Sequence, residues 1–169
     1  MKIEHIETPR LYLRGFAPAD ASFAISIWND PEMGEYLLDE TMEAVSDEYF
    51  RQIQALGEDP ECCYLIAEDK FTGERIGTCS FIPADGVYDI AYCVHKRFWR
   101  QGYATEMAGG MIGYARSRGA KKITAVISSE NPGSNAIAQK FGFRIAETLI
   151  QKKRGGGREF VDYRYELDL

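Results

Sequence analysis

The chain has 169 residues and a mass of 19.1 kDa, 45% hydrophobic and 27% charged, with a formal net charge of -6, the balance of a single soluble domain over residues 1–169 with enough length to bury a core. No run approaches the roughly 18 consecutive apolar residues that a membrane span needs, and the opening segment lacks the apolar centre of a secretory signal, so a cytoplasmic protein without membrane contact is expected. Four cysteines (Cys62, Cys63, Cys79, Cys93) without a Cys-x-x-Cys pair, beside only His5 and His95, argue against a metal site and against a disulfide framework.

In chain order, residues 11–16 alternate as a strand, and Pro18-Ala19-Asp20 opens an apolar-periodic helix that reaches Trp28 and stops at Asn29-Asp30-Pro31. A second helix is expected over residues 42–56, with Tyr49, Ile53 and Leu56 on its inner face. Residues 62–68, 75–82 and 87–94 read as an antiparallel meander joined at Thr72-Gly73 and Asp85-Gly86. The strongest helix covers residues 102–119, with Ala104, Ala108, Met111, Ile112 and Ala115 on one stripe and Arg116 and Arg118 in the last turn. Residues 122–128 form a buried strand, residues 132–141 a short helix closed by Gly142, and residues 143–151 and 159–167 two final strands around Gly155-Gly156-Gly157. The order is mixed α/β, with no internal repeat and no linker. The two terminal strands leave edges through which two copies could pair as a homodimer.

Charge is divided between the halves. Residues 29–61 carry eleven acids against Arg51 alone, whereas residues 95–154 carry twelve bases against Glu106, Glu130 and Glu147. Either block alone suits a solvated face; their opposition favours a bipolar site that takes an anionic cofactor on the basic side and a cationic acceptor on the acidic side. Nucleic acid is the poorer candidate and no such partner is expected, given the pI near 5.0 and the lack, in the basic half, of a helix-turn-helix, finger or aromatic single-strand platform.

The stretch Val94-His95-Lys96-Arg97-Phe98-Trp99-Arg100-Gln101-Gly102-Tyr103-Ala104-Thr105-Glu106 runs from a strand through a basic turn into a helix. The first amides of a helix lack internal partners and lie at the positive end of its dipole, so small residues such as Gly102 and Ala104 let backbone approach a diphosphate. An ordinary strand-to-helix turn with a glycine cap accounts for the same residues. No Gly-x-Gly-x-x-Gly precedes a helix and no Gly-Lys-Ser/Thr occurs, which removes the Rossmann and P-loop readings.

The segment Phe98-Trp99-Arg100-Gln101-Gly102-Tyr103-Ala104-Thr105-Glu106 resembles the acetyl-coenzyme A loop of the GNAT N-acetyltransferases, in the Tyr-Trp-Gly-Gln-Gly-Tyr-Ala-Thr-Glu form of the RimJ/RimL-type ribosomal-protein N-terminal acetyltransferases. Thr8-Pro9-Arg10-Leu11-Tyr12-Leu13-Arg14 is similar to that branch's Thr-x-Arg-Leu-x-Leu-Arg opening, and Asn131-Pro132-Gly133-Ser134 through Lys140-Phe141-Gly142-Phe143 to its Asn-x-x-Ser helix. Arg100 departs from the usual glycine, and Trp99 from the arginine or glutamine common in the wider superfamily.

The resemblance implies an α/β (α+β) fold with a mostly antiparallel, splayed mixed sheet flanked by helices, and acetyl-CoA as co-substrate with no metal. It implies that the pyrophosphate lies on the amides of Arg100, Gln101, Gly102, Tyr103, Ala104 and Thr105, and that pantetheine runs beside residues 92–94 while the strand over 122–128 splays away. The amide of Cys93 or Val94 is then the oxyanion donor. Asn131 contacts pantetheine, although before Pro132 it is equally a helix cap. Ser134 protonates the departing thiolate. Asp89, before Ile90-Ala91-Tyr92, is the first candidate base, with Glu106 and Glu147 behind it; Tyr92 is a catalytic candidate or a core aromatic. His95 reads as a surface residue and the cysteines as core filler. The expected reaction is direct attack by an amine on acetyl-CoA at a mouth flanked by two helices of the acidic block. The acceptor is a protein N-terminus, with a polyamine or aminoglycoside as alternative, and a non-catalytic acyl-CoA-binding module is the reading of a different class.

Overall fold

A computed structural model describes residues 3–169. The strands are β1 (His5–Glu7), β2 (Leu11–Gly15), β3 (Cys63–Asp69), β4 (Arg75–Ala84), β5 (Val87–Val94), β6 (Lys122–Ser128), β7 (Arg144–Lys152) and β8 (Glu159–Asp168). The helices are α1 (Ala21–Trp28), α2 (Asp47–Gln54), α3 (Tyr103–Ser117) and α4 (Pro132–Lys140). The strands form one sheet in the order β1-β2-β3-β4-β5-β6-β8-β7, antiparallel at every pairing except β5 with β6. No helix among the described residues is long and apolar enough to cross a membrane.

Alternation along the strands gives the sheet two different faces. On one, Leu11, Leu13, Leu65, Phe81, Ile90, Ile123 and Tyr165 pack beneath α3 and α4, which contribute Met107, Met111, Ile112 and Ala138. On the other, Ile66 packs with Phe16, Ala21, Ala24 and Ile53 beneath α1 and α2. The β4–β5 connection holds both turn residues at positive φ, Asp85 at 49° and Gly86 at 81°, a two-residue hairpin of the kind whose twist matches the strands.

Two expectations need correction, and one strand was not foreseen. The strand β1 carries no alternation of its own over three residues and exists because it pairs with β2. The helix expected over residues 42–56 starts only at Asp47, where Ser46 caps it by accepting from the Tyr49 amide at 3.1 Å; Met42 is withheld, its amide and carbonyl both bound by the Asn29 side chain. Nor do two helices come from the acidic block. Residues 30–46 contain no helix: turns at their start are held by the Asp30 carboxylate accepting from the Glu32 and Met33 amides, Asp39 bridges to Arg154, and α1 precedes the block.

The β5–β6 pairing decides where a site can lie. It runs Val87↔Lys122, Tyr88↔Ile123, Asp89↔Thr124 and then stops, although both strands continue, so residues 90–94 and 125–128 diverge and leave a wedge open at their C-terminal ends. Opposite the wedge, β4 approaches β5 closely enough that a Cβ on Gly77 would lie 2.2 Å from the Cys93 carbonyl oxygen. Gly77→Ala is therefore expected to lower stability by about 1–3 kcal/mol, the cost of overpacking against backbone that cannot retreat, read as a reduced midpoint in thermal unfolding.

Candidate active site

The turn between β5 and α3 is the unusual piece of backbone. Arg100 has φ 58° and Gly102 φ 82°, both left-handed, and the N–H groups of residues 100–105 find no acceptor among the described residues. Six consecutive unpaired amides at the start of a 15-residue helix make an anion cradle. Arg100, where glycine is usual, takes the left-handed conformation at a cost of about 1–2 kcal/mol.

The cradle is held from below. The Trp99 indole N–H donates to the Val94 carbonyl at 2.7 Å, Gln101 Nε2 donates to the Arg97 carbonyl at 3.2 Å, and Arg10 Nη1 donates to the Gln101 carbonyl at 3.0 Å. One turn into the helix, the Glu106 carboxylate accepts from the Thr8 hydroxyl at 2.7 Å, the Arg10 amide at 2.7 Å and Arg10 Nε at 2.6 Å; the Arg10 guanidinium also lies 4.1 Å over the Tyr103 ring. Burial works against the charged carboxyl, but these bonds hold it below the usual range. Glu106 thus ties the β1–β2 connection to the helix entrance, and its lowered pKa makes it a weak base. The bond between the Thr-x-Arg opening and the Ala-Thr-Glu helix was not legible in either motif alone.

Counting from the two-residue turn, hydrogen-bonded pairs in the β4–β5 ladder fall at Val87, Asp89, Ala91 and Cys93. Pro83 sits opposite Tyr88 in a pair that needs no N–H. The Cys93 amide therefore turns toward β4, which removes it as oxyanion donor, whereas the Tyr92 and Val94 amides face the wedge. The Cys93 thiol is raised to about 11 by burial, against the influence of Thr78, so it is not a thiolate at neutral pH.

Across the wedge, α4 starts at Asn131, whose Oδ1 accepts from the Ser134 amide at 3.2 Å and whose Nδ2 donates to Ser134 Oγ at 3.2 Å. The cap and the site position are one residue. Burial raises the Tyr92 phenol, which Ser134 partly offsets by hydrogen bonding, so two of the candidate residues meet at the wedge. Asn135, a residue that the sequence reading left without a role, donates to the Ser128 carbonyl at 2.8 Å and the Asn131 carbonyl at 2.6 Å and accepts from the Tyr165 hydroxyl at 2.7 Å, which locks the end of β6 to α4.

Asp89 lies at the closed end of the wedge on the α1/α2 face. Its carboxyl is raised by burial, opposed by a bond from the Thr124 hydroxyl at 2.6 Å. Glu147 is on β7, the outermost strand, paired with Arg164 at 2.8 Å, two strands from the wedge. His95 caps the short turn Lys96–Phe98 by accepting from the Arg97 amide and stacks near Phe23; burial, with Arg97 and Lys96, lowers its pKa. Among the described residues, no three His, Cys, Asp or Glu side chains gather into a group that could hold a metal.

The acidic segment spans the open end of the wedge. Glu32 and Asp30 reach Lys96, after β5, at 3.2 and 3.7 Å, and the Leu38 carbonyl and Asp39 carboxylate take the Arg154 amide at 2.8 Å and its guanidinium at 3.3 Å in the β7–β8 turn. Cradle, wedge and acidic span together match an acyl-CoA site with a separate entrance for a cation.

The acetyltransferase (GNAT) domain family matches residues 10–144. The chain belongs to this GNAT family. It is an acetyl-CoA-dependent N-acetyltransferase, and the cradle of free amides fits that co-substrate. The uncharacterized N-acetyltransferase p20 of Bacillus licheniformis is 28% identical over 171 residues, covering 98% of this chain and 96% of its own. Among solved structures of the GNAT fold, RimL, a ribosomal alpha-N-protein acetyltransferase, superposes with a TM-score of 0.80 at 17% identity, over 98% of this chain and 94% of its own. The spermidine N-acetyltransferase of Vibrio cholerae, in complex with CoA and spermine, gives 0.81 at 18% identity over 94% and 95%.

Proposed function

We propose that this GNAT enzyme is RimJ/RimL-like and acetylates a cationic primary amine, foremost the N-terminal amine of a basic protein segment. The observation that carries the reading is the acidic span across the open end of the β5–β6 wedge: Asp30, Glu32 and Asp39 are paired with Lys96 and Arg154, while Glu35 and Glu40 make no ion pair among the described residues and leave negative charge that attracts cations at the face opposite α3 and α4. The four cysteines are free thiols, which suits the reducing cytoplasm.

Acetyl-CoA, when bound, supplies an activated thioester carbonyl and a thiolate leaving group. The amides of residues 100–105 would hold its diphosphate, Asn131 its pantetheine arm, and the Val94 amide the carbonyl oxygen. A preorganised donor at such a position contributes about 2.7–4 kcal/mol. An α-amine titrates near 8 and is partly neutral at pH 7, whereas a lysine amine near 10.4 needs fuller deprotonation. Asp89, raised by burial, suits a proton acceptor, with Oδ1 on Thr124 and Oδ2 left for a proton relayed by water. Ser134 Oγ accepts from Asn131, and its hydroxyl proton, shared with Tyr92 in this structure, is the one to pass to the thiolate.

Ser134→Ala is expected to lower kcat by about 100-fold, the lower end for positioned acid catalysis, with acetyl-CoA affinity within twofold of wild type by calorimetry. Unaltered kcat removes Ser134 from the reaction. The substrate reading is tested by thiol release with acetyl-CoA and three amines in parallel: a basic peptide with a free N-terminus, spermidine and an aminoglycoside. The peptide should give the highest kcat/KM, falling with added salt. Preference for spermidine, favoured by the likeness to a spermidine N-acetyltransferase, makes this a polyamine enzyme. Tight acetyl-CoA binding without thiol release from any amine indicates a non-catalytic module.

A further inference from the structure

The residue that the fold leaves unexplained is Asp162 on β8. It is 4% exposed, and its Oδ1 is the one buried side-chain polar atom among the described residues without a hydrogen-bond partner. Buried carboxylate oxygens are almost always satisfied, because leaving one unpaired costs about 1–3 kcal/mol or more. The other oxygen, Oδ2, accepts from Gln151 Nε2 at 2.9 Å. Arg164, two residues on, is paired with Glu147 at 2.8 Å, and Arg154 with Asp39 at 3.3 Å, so neither guanidinium serves Oδ1. Burial accordingly raises the Asp162 carboxyl, against the Gln151 bond.

Its position on the sheet gives the unpaired oxygen a use. Tyr163 and Tyr165 belong to the core beneath α3 and α4, so Asp162 projects from the opposite face, the one that carries the acidic span. In the β6–β8 ladder it stands opposite Ser128, the last residue of β6. Continuing the register Val87↔Lys122 brings Ser128 level with Cys93, beside the wedge-facing amide of Val94. Asp89 by contrast lies where β5 and β6 are still paired, and its Oδ1 is occupied.

We propose that Asp162 is the acceptor-anchoring carboxylate, its unpaired Oδ1 receiving an N–H of the incoming ammonium group at the open end of the wedge. This rests on the reading of the chain as an amine acetyltransferase and adds the residue that recognises the amine. Gln151 holds the carboxylate by one oxygen and leaves the other without a partner. The arrangement selects acceptors that bear an N–H cation and disfavours alcohols.

Two measurements test it. In steady-state kinetics on the best of the three amines, Asp162→Asn should lower kcat/KM by about 30-fold, mainly through KM, as loss of a charge-assisted hydrogen bond would; acetyl-CoA affinity should stay within twofold and the melting temperature should not fall. A purely structural Asp162 would instead lower the melting temperature and leave KM alone, which overturns the proposal. Carboxyl 13C NMR of the wild-type protein with CoA should then show the Asp162 titration moving to lower pH on adding ethylammonium, a probe small enough for any amine site. A midpoint unmoved by ethylammonium also overturns it. Should the wild type bind acetyl-CoA yet acetylate none of the three amines, the proposed function fails, and the NMR titration alone decides Asp162.

Discussion

Replacing Gly102 by valine is expected to weaken acetyl-CoA binding by about 100-fold, or ~2.7 kcal/mol. Two effects combine. Gly102 has φ 82°, a conformation that costs an L-residue about 1–2 kcal/mol and a β-branched one more, so the turn would relax away from the form that leaves these amides free. A Cβ there would also stand 3.4 Å from Arg10 Nη2, crowding the guanidinium that holds the Gln101 carbonyl. Gly119→Val is the control. Gly119 follows α3 with φ 75° and open space around its Cβ position, so valine there carries the same backbone penalty far from the cradle. Calorimetry should find acetyl-CoA affinity lost in the first variant and retained in the second, with similar losses of thermal stability. Equal affinities would mean that the turn does not hold the diphosphate.

The largest stability effect is expected at Asp20. This carboxylate is 1% exposed and accepts from Arg14 Nη1 and Nη2 at 2.8 and 3.0 Å, Arg75 Nε at 2.7 Å and the Ala17 amide at 2.8 Å. It joins β2 and β4 to the start of α1, beneath the acceptor face. Asp20→Ala leaves two arginines without their shared partner, and removing one member of such a cluster costs about 3 kcal/mol, since the partly exposed arginines regain some hydration. For a chain of this length that lowers the melting temperature by about 6–12 °C.

The pH dependence has a definite sign. Burial opposes the charge on Asp20, yet Arg14, the Ala17 amide and Arg75 depress its pKa below the ordinary value. Its stabilisation is therefore complete above the unfolded value near 3.9 and is lost as pH falls through the lower folded value. The stability gap between wild type and Asp20→Asn should hold constant from about pH 7 to pH 5 and close below about pH 4. A gap that widens on acidification contradicts the assignment.

These effects mark how far the sequence reaches. The β4–β5 hairpin and β6 were legible because turn chemistry and apolar runs act locally, and residues 122–128 fall within the strand as expected. The cradle was legible through Gly102 and Ala104, although its left-handed Arg100 was not, because nothing about an arginine announces positive φ. Residues 30–46 misled because their composition tolerates a helix while Asn29 and Asp30 bond the backbone first. The Thr8–Arg10–Glu106 clamp and the Asp20 cluster join residues far apart in the chain. Asp162 resembles any polar residue on an alternating strand until packing removes every partner for one of its oxygens.

A crystal structure with acetyl-CoA tests the central claim most directly. The account predicts diphosphate oxygens within hydrogen-bond distance of the amides of residues 100–105, and the thioester carbonyl oxygen at the Val94 N–H inside the β5–β6 wedge. Acetyl-CoA seated elsewhere, with the turn before α3 empty, would contradict it.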